Sequence, residues 1–373
     1  MMQNQHKPVL IFAQSGRFLA QKATQAGYSV WVADCFGDQD TLSIADRWLE
    51  IPPFPNQNHH AILPSLSELS QGEDCTLICG SGIETCYALL DNLPDNIQLL
   101  GNSAKTIHAI KTPSLFFGLL NQLRLPYPIT QFEQPDNNDY WLVKSASGLG
   151  GNHIQALTLN PQTTDHYFQK FIEGISGSVL FLADGKDAQL ISINKQFHTG
   201  DEPFLFRLLS IETPWDITDF HRQQLKQAIR EITQATKLLG LNSLDFMISS
   251  QDELLILEVN PRPSASAELI DNTASLFQHH CNACLGSLPN EPISLVNNNT
   301  SLRYLYADID CIIPDDMKWP TDCYDLPKAN TFINKNQPIC TTIVNETDEE
   351  STLFLHQNIE QIIVQQIAAY RKK

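Results

Sequence analysis

The stretch that most restricts how this chain can fold runs from Leu244 to Pro263, LDFMISSQDELLILEVNPRP. Two apolar runs, LDFMI and LLILEV, flank the polar turn Ser249-Ser250-Gln251-Asp252-Glu253, which predicts an antiparallel hairpin. Side chains alternate across a strand, so Asp245 on the first strand and Glu258 and Asn260 on the second can reach one pocket. Two carboxylates and an amide carbonyl are hard oxygen donors suited to Mg2+, which takes its other ligands from phosphate and water. Arg262, two residues past Asn260, can return to the same face and offer a planar fork to a carboxylate or phosphate. The hairpin alone also permits a plainer arrangement, with Asp245 in solvent at a strand start and Glu258 paired with Arg262.

At 373 residues the chain is too long for one small core, and two or three lobes are expected. Its 24 basic and 42 acidic residues give a net charge of -18, which argues against a nucleic-acid or anionic-membrane surface as the main function. No apolar run approaches the ~20 residues of a membrane span, and the first residues lack a signal-peptide core, so the expected location is the cytoplasm. The nine cysteines are odd in number and scattered, the pattern of reduced thiols. Cys281-x-x-Cys284 beside His279 and His280 invites a zinc reading, but no second close pair follows, and ordinary helix packing explains the same residues.

The opening is a β-α-β pattern: an apolar run from Pro8 to Gln14, a helix from Ser15-Gly16-Arg17 to Gly27, and a strand from Tyr28 to Asp34. Asp34 lies where a ribose-binding acid would fall, yet only Gly16 is present of the glycine trio a dinucleotide needs, which disfavours NAD. Asp34, Asp38 and Asp40 form an acidic loop that can meet a substrate amine, another lobe or only solvent. Ile51 to His60 reads as a surface loop, and Gly80-Ser81-Gly82 opens a helix Ile83–Leu90 whose N-terminus can hold an anion. Further on, the strand Trp141–Lys144 runs into Ser145 to His153, SASGLGGNH, where Gly148, Gly150 and Gly151 let backbone amides close on phosphate beside Lys144. That loop is not a Walker A motif, and by itself it is as well explained as a plain turn. A strand from Tyr167 to Gly174 can offer backbone groups to an adenine edge, a strand pair follows around Asp184-Gly185, and a helix Asp219–Leu239 ended by Gly240 leads to the acidic hairpin.

Taken in order, Lys111, Lys144 with its glycine loop, the segment QKFIEG and Asp245…Glu258-Val-Asn-Pro-Arg resemble the ATP-grasp superfamily. The likeness is strongest to the carboligases related to biotin carboxylase that include tyramine–glutamate ligase. It is carried by ADCFGDQDT (33 to 41), VKSASGLGGNHI (143 to 154), LEVNPRPSAS (257 to 266) and LFQHHCNACLG (276 to 286). INKNQPICTTIV (333 to 344) looks like the closing strand pair of such proteins. Two departures stand out: Ser145 where a proline is usual, and FLFRLLSIETP (204 to 214), which lacks expected glycines near the substrate pocket.

The resemblance implies an α/β chain, an ATP-grasp fold preceded by a Rossmann-like parallel-sheet domain. The expected division is 1–103 for that first domain, 104–298 for the ATP-grasp domain with lobes of about 111–172 and 173–298, and 299–373 for a C-terminal segment packing on it. It further implies that Lys111 and Lys144 hold ATP phosphates under a loop containing Gly148, Gly150 and Gly151. Gln169, Lys170 and Ile172 would flank the adenine, Glu173 or a near neighbour the ribose, and Asp245, Glu258 and Asn260 Mg2+. Arg262 would sit near an acyl phosphate. The implied reaction is ATP-dependent joining of a small-molecule carboxylate and an amine, with C1-carrier cofactor synthesis (methanofuran-like or pterin) as the associated setting and a homodimer kept open. A carboxylase or kinase using the same nucleotide site, and a nucleotide-binding protein without turnover, are the competing expectations.

Overall fold

The opening apolar run forms β1 (Val9–Phe12), buried on both faces, and Gly16 starts α1 (Arg17–Gln25). β2 (Val30–Asp34), α2 (Gln39–Leu42), β3 (Arg47–Glu50), α3 (His59–Ser70), β4 (Cys75–Cys79) and β5 (Ile97–Leu99) complete a parallel sheet in the order β3-β2-β1-β4-β5. The computed structural model describes residues 7–54, 59–136, 140–146, 148, 150–157, 166–200, 204–270, 273–293 and 299–370. Leu10 and Phe12 point into one core and Val9 and Ile11 into another, as alternation along a strand buried on both sides requires.

Two helices, α4 (Ala104–Lys111) and α5 (Pro113–Leu123), lead to a small four-stranded sheet. Its strands are β6 (Thr130–Gln131), β7 (Trp141–Ser145), β8 (Ile154–Ala156) and β9 (His166–Lys170), ordered β6-β9-β7-β8. The chain then crosses to an eight-stranded sheet through β10 (Gly174–Asp184), β11 (Ala188–His198) and β12 (Leu208–Thr213). α6 (Asp219–Thr236) precedes the hairpin β13 (Leu239–Ser249) and β14 (Leu254–Asn260), and α7 (Thr273–Cys284) follows it. β15 (Asn299–Tyr306), β16 (Cys311–Ile312), β17 (Cys323–Tyr324), β18 (Phe332–Ile333), β19 (Pro338–Glu346) and α8 (Glu349–Tyr370) end the chain. The large sheet runs β14-β13-β10-β11-β12-β15-β19-β17.

One face of that sheet presents Val179, Phe181, Leu244, Phe246 and Ile256 to α5 and α6. The opposite face carries Leu180, Leu182 and Leu241 against α7, and then the polar row Asn194, Ser178, Asp245 and Glu258, aligned across β11, β10, β13 and β14. Antiparallel partners share a face, so this register, set by the apolar residues on the other side, delivers both carboxylates to one place.

Several boundaries differ from the sequence expectations. α6 stops at Thr236, where Lys237 takes the left-handed cap, because Leu239 already pairs in β13. Gly240 lies inside that strand: at φ +67 a Cβ there would stand 2.6 Å from the His280 ring. Tyr167–Gly174 is not one strand, since β9 ends at Lys170 and β10 starts at Gly174 in the other sheet. α3 begins at His59, inside the expected loop, of which 55–58 lie outside the described residues. The expected closing pair does not pair with itself, because β18 joins β16 while β19 joins β15 and β17.

Candidate nucleotide and metal site

Asp245 and Glu258 are direct cross-strand neighbours in β13 and β14. The Asn260 amide donates to Asp245 Oδ2 at 3.0 Å, and the Gln196 amide of β11 reaches Asp245 Oδ1 at 3.3 Å. Lys111, at the last residue of α4, places Nζ 3.0 Å from Glu258 Oε2. The ammonium is ringed by protein, and burial pulls its pKa down, but the charges of Glu258 and Glu84 outweigh this and raise it. Glu258 lies deep in the cleft yet keeps one side open, with 40% of its side chain exposed.

Burial and the Glu258 charge together push the Asp245 carboxyl up, whereas Lys111, His153 and Lys144 overcome burial and hold Glu258 down. Two adjoining carboxylates in a low-dielectric cleft share a proton unless a cation between them lets both ionise. That demand, with one amide beside the pair, fits a hard divalent cation completed by phosphate and water. Among the described residues no group of three or more His, Cys, Asp or Glu side chains is disposed to hold a metal ion.

Lys144 ends the buried part of β7 and is itself 7% exposed. Its Nζ donates to Gln169 Oε1 at 2.6 Å, and the Gln169 amide donates onward to Thr130 Oγ1 at 3.1 Å. Burial lowers the Lys144 pKa to about 8, with Glu258 and Asp245 opposing the fall. Gln169 thus orients the lysine from the neighbouring strand. Lys170 and Ile172 are half-buried and Glu173 is exposed at the crossing between the two sheets.

The glycine loop leaves β7 above Lys144. Gly150 and Gly151 adopt φ +62 and +79, and a Cβ on Gly151 would stand 2.0 Å from the Phe206 carbonyl. A Cβ on Gly148 would meet the His153 ring, and the Gly150 carbonyl accepts from Leu208 N at 3.2 Å. Ser147 and Leu149 of the same motif lie outside the described residues.

Arg262 donates from Nε to Glu84 Oε1 at 2.7 Å and from Nη1 to the Pro263 carbonyl. Glu84, 2% exposed, comes from the parallel-sheet domain. Its other oxygen accepts from Gly82 N at 3.0 Å, so the expected anion site at Gly80-Ser81-Gly82 is already filled by a carboxylate. The expected helix there is broken into two 3-10 turns, Ile83–Thr85 and Tyr87–Asn92. The Glu258–Arg262 pairing allowed by the hairpin alone is replaced by Lys111–Glu258 and Arg262–Glu84.

The remaining sequence candidates are structural. Asp34 spends its carboxylate on Gly16 N, Gly37 N and Trp48 Nε1 at 2.9 to 3.0 Å, leaving no ribose acid. Asp40 meets another part of the chain, accepting from Asp325 N and Leu326 N. Arg17, 1% exposed, is gripped by Asp325 and Glu268 in the crevice beside β1 where a dinucleotide would lie. His280 accepts from Leu241 N at 2.9 Å and, with Nε2 3.3 Å from the Leu100 carbonyl, is driven down to about 4 by burial. It packs the first domain onto β13, and its neighbours Cys281 and Cys284 are free thiols in the same contact. Asn102, which no sequence motif marks, bonds Asn242, Leu239 and the Pro261 carbonyl and pins the end of β14.

A family model described as "ATP-grasp domain" matches residues 115–266. That region is an ATP-grasp domain. Lys144, the glycine loop and the whole acidic hairpin fall inside it, while Lys111 lies four residues before. The chain is also similar to N5-carboxyaminoimidazole ribonucleotide synthase of Staphylococcus saprophyticus, 21% identical over 364 residues, covering 92% of this chain and 94% of that protein. Among solved structures it shares its fold with the L-amino acid ligase of Bacillus licheniformis (TM-score 0.71, 12% identity, 96% of this chain and 98% of that one). The biotin carboxylase domain of Hydrogenobacter thermophilus 2-oxoglutarate carboxylase, solved with MgADP and bicarbonate, is alike too (TM-score 0.73, 12% identity, 95% and 90%). The ATP-grasp domain therefore sits in a chain whose fold is that of the biotin-carboxylase and N5-carboxyaminoimidazole-ribonucleotide-synthase carboligases. No helix among the described residues is long and apolar enough to cross a membrane.

Proposed function

We propose that this chain is an ATP- and Mg2+-dependent ligase that activates a carboxylate as an acyl phosphate and joins it to an amine, releasing ADP and phosphate. The observation carrying this reading is the cluster Lys111–Glu258–Asp245–Asn260 beside buried Lys144, under a glycine loop within an ATP-grasp domain. Mg2+, held by Asp245, Glu258 and Asn260, would neutralise phosphate charge at the reacting end.

Phosphoryl transfer needs little covalent help from a protein, so positioning and charge do most of it. Lys111 and Lys144 are cations whose charges both act on Glu258, and Gln169 fixes the direction of Lys144. The backbone of 170–173 would meet adenine, with Glu173 toward the ribose. Arg262, its Nε anchored on Glu84, would turn its remaining N–H groups toward the oxygen that gains charge as the acyl phosphate forms. Closure of the loop over Gly148, Gly150 and Gly151 would exclude water that otherwise hydrolyses this mixed anhydride. The amine then attacks the acyl carbon, the C–O bond to phosphate breaks, and the amine's proton leaves to base or water.

A carboxylase reading, with bicarbonate as the acid, draws on the kinship in fold to carboxylating proteins. The likeness to tyramine–glutamate ligase adds a place in C1-carrier cofactor synthesis to the amide reading. ADP release measured across pairs of carboxylates and amines, with bicarbonate as one acid and product masses recorded, separates these. An amide product with ADP supports the ligase; ADP release that needs only bicarbonate moves the chain to the carboxylases. Nucleotide binding without turnover for any pair would leave a nucleotide-binding protein and refute the ligase.

A further inference from the structure

Arg207 is a buried cation without a counter-charge among the described residues. Its residue is 8% exposed, and Nε is fully buried with no hydrogen-bond partner. Nη1 donates to the Asn336 carbonyl at 2.8 Å, and the guanidinium lies 3.8 Å from the Tyr306 ring centroid and 4.8 Å from that of Phe204. No Asp or Glu among the described residues comes within the 4.0 Å of an ion pair. Arg17, the other buried arginine, is satisfied by Asp325 and Glu268, and the half-buried Arg262 by Glu84. Two aromatic faces offset only part of the desolvation of a permanently charged group.

Its position ties it to the site. Arg207 closes the β11–β12 connection directly beneath the glycine loop: Leu208 N donates to Gly150 O, and the space a Gly151 Cβ would occupy is 3.3 Å from Arg207 Cα. Phe206 packs near Phe171 at the crossing that would meet adenine, with ring centroids 6.4 Å apart. On the other side Tyr306 donates its hydroxyl to Leu208 O, and its ring stands 6.3 Å from Tyr304, two residues back on the same face of β15. Tyr304 and Ala265, the latter three residues past Arg262, pack against the same buried cluster of Ile211, Leu269 and Leu302. Burial, with the charges of Glu268 and Asp325, pushes the Tyr304 hydroxyl up, and the Arg262 charge reaches it and opposes that rise. Two tyrosines thus bridge the arginine assigned to the phosphoryl end and an arginine with no assigned role.

We propose that Arg207, with Tyr306 and Tyr304, binds an oxyanion group of a substrate other than the group that reacts, a second carboxylate or a phosphate ester. This rests on the ligase reading of the site, because it takes Arg262 as the reacting end. An oxyanion would meet the Nη N–H groups that the Asn336 carbonyl does not take and supply the missing charge, and the tyrosine faces would carry the substrate body.

The experiment uses the full chain saturated with Mg2+ and a non-hydrolysable ATP analogue, titrated calorimetrically with glutarate, 3-phosphonopropionate and pentanoate. Glutarate or 3-phosphonopropionate is expected to bind about 10- to 100-fold tighter than pentanoate, the range of a charge-assisted pair. Which of the two gains tells carboxylate from phosphate. Arg207→Met should erase that preference and leave analogue binding intact, without lowering the melting temperature, since an apolar side chain replaces an unpaired buried charge. Equal binding of all three acids by the wild type, a preference surviving in Arg207→Met, or a melting point several degrees lower in that variant would overturn the assignment. Asp201 and Glu202 lie outside the described residues, so Asp201→Asn/Glu202→Gln is combined with Arg207→Met in a double-mutant cycle. Coupled losses of stability there would reveal an internal counter-charge and also overturn it. Failure of the wild type to bind the analogue would instead remove the ATP-site reading, and this proposal with it.

Discussion

Lys144 gives the sharpest test of the nucleotide site, because its protonation is set by burial before any ligand arrives. With a pKa lowered to about 8, the ligand-free ammonium is about half deprotonated at pH 8 and about a tenth at pH 7. A bound polyphosphate favours the charged form and should return the pKa toward 10 or above. Binding of MgADP should therefore take up about half a proton at pH 8 and about a tenth at pH 7 through this residue. Calorimetry in buffers of different ionisation enthalpy reads that number as the slope of apparent enthalpy. Lys144→Met should abolish the pH 8 uptake and weaken the nucleotide about 10- to 100-fold, one charge-assisted contact. The same shift fixes a sign for the ligand-free fold. A lysine with a depressed folded pKa carries its full penalty below about pH 8, and the penalty fades as pH rises toward the unfolded value near 10.5, so stability gains there. Equal proton uptake at pH 7 and pH 8, or unchanged uptake in Lys144→Met, would show that Lys144 does not face the phosphates.

Other residues give separate readouts. Glu258→Gln keeps volume but leaves Lys111 without its 3.0 Å partner and the cation with one carboxylate; turnover should vanish while circular dichroism stays native, and wild-type ADP release at saturating Mg2+ would remove Glu258 from the metal site. Arg262→Lys keeps the charge but loses the fork, so kcat should fall with little change in KM for the acid, whereas a raised KM with unchanged kcat would make it a ground-state carboxylate binder. Arg17→Met should destabilise the fold by about 3 to 5 kcal/mol in urea titration, because Asp325 and Glu268 lose their buried counter-charge, and a change under 1 kcal/mol would show that those acids are satisfied by other groups.

How much of this the sequence can reveal depends on whether the signal is local. The acidic hairpin is readable because period-two alternation and a polar turn fix both its strands and the common face of Asp245 and Glu258, whatever surrounds them. The glycine loop is readable because positive φ and close backbone approach demand glycine within a few residues of Lys144. Gly240 looks like a helix stop by the same local logic, yet its real constraint is the His280 ring, forty residues on, which no local pattern discloses.

Long-range charge pairing is where sequence reasoning has no purchase. Arg262 and Glu84 are 178 residues apart and Arg17 and Asp325 are 308 apart, and each acid looks like any other surface acid in a chain with 42 of them. Those two pairs nevertheless join the parallel-sheet domain to the ATP-grasp hairpin and to the C-terminal strands. A buried arginine that lost its acid would destabilise the fold, so the pairs act in effect as a test of correct assembly, with the end of β14 held between Asn102 and Glu84. Such closure also occupies the place in the doubly wound opening where a dinucleotide would lie. The crevice beside β1 and β4, where such sheets take their ligands, is filled by the chain's own Arg17–Asp325 and Glu84–Arg262 pairs, and the second of these holds the end of the hairpin on which the proposed site is built.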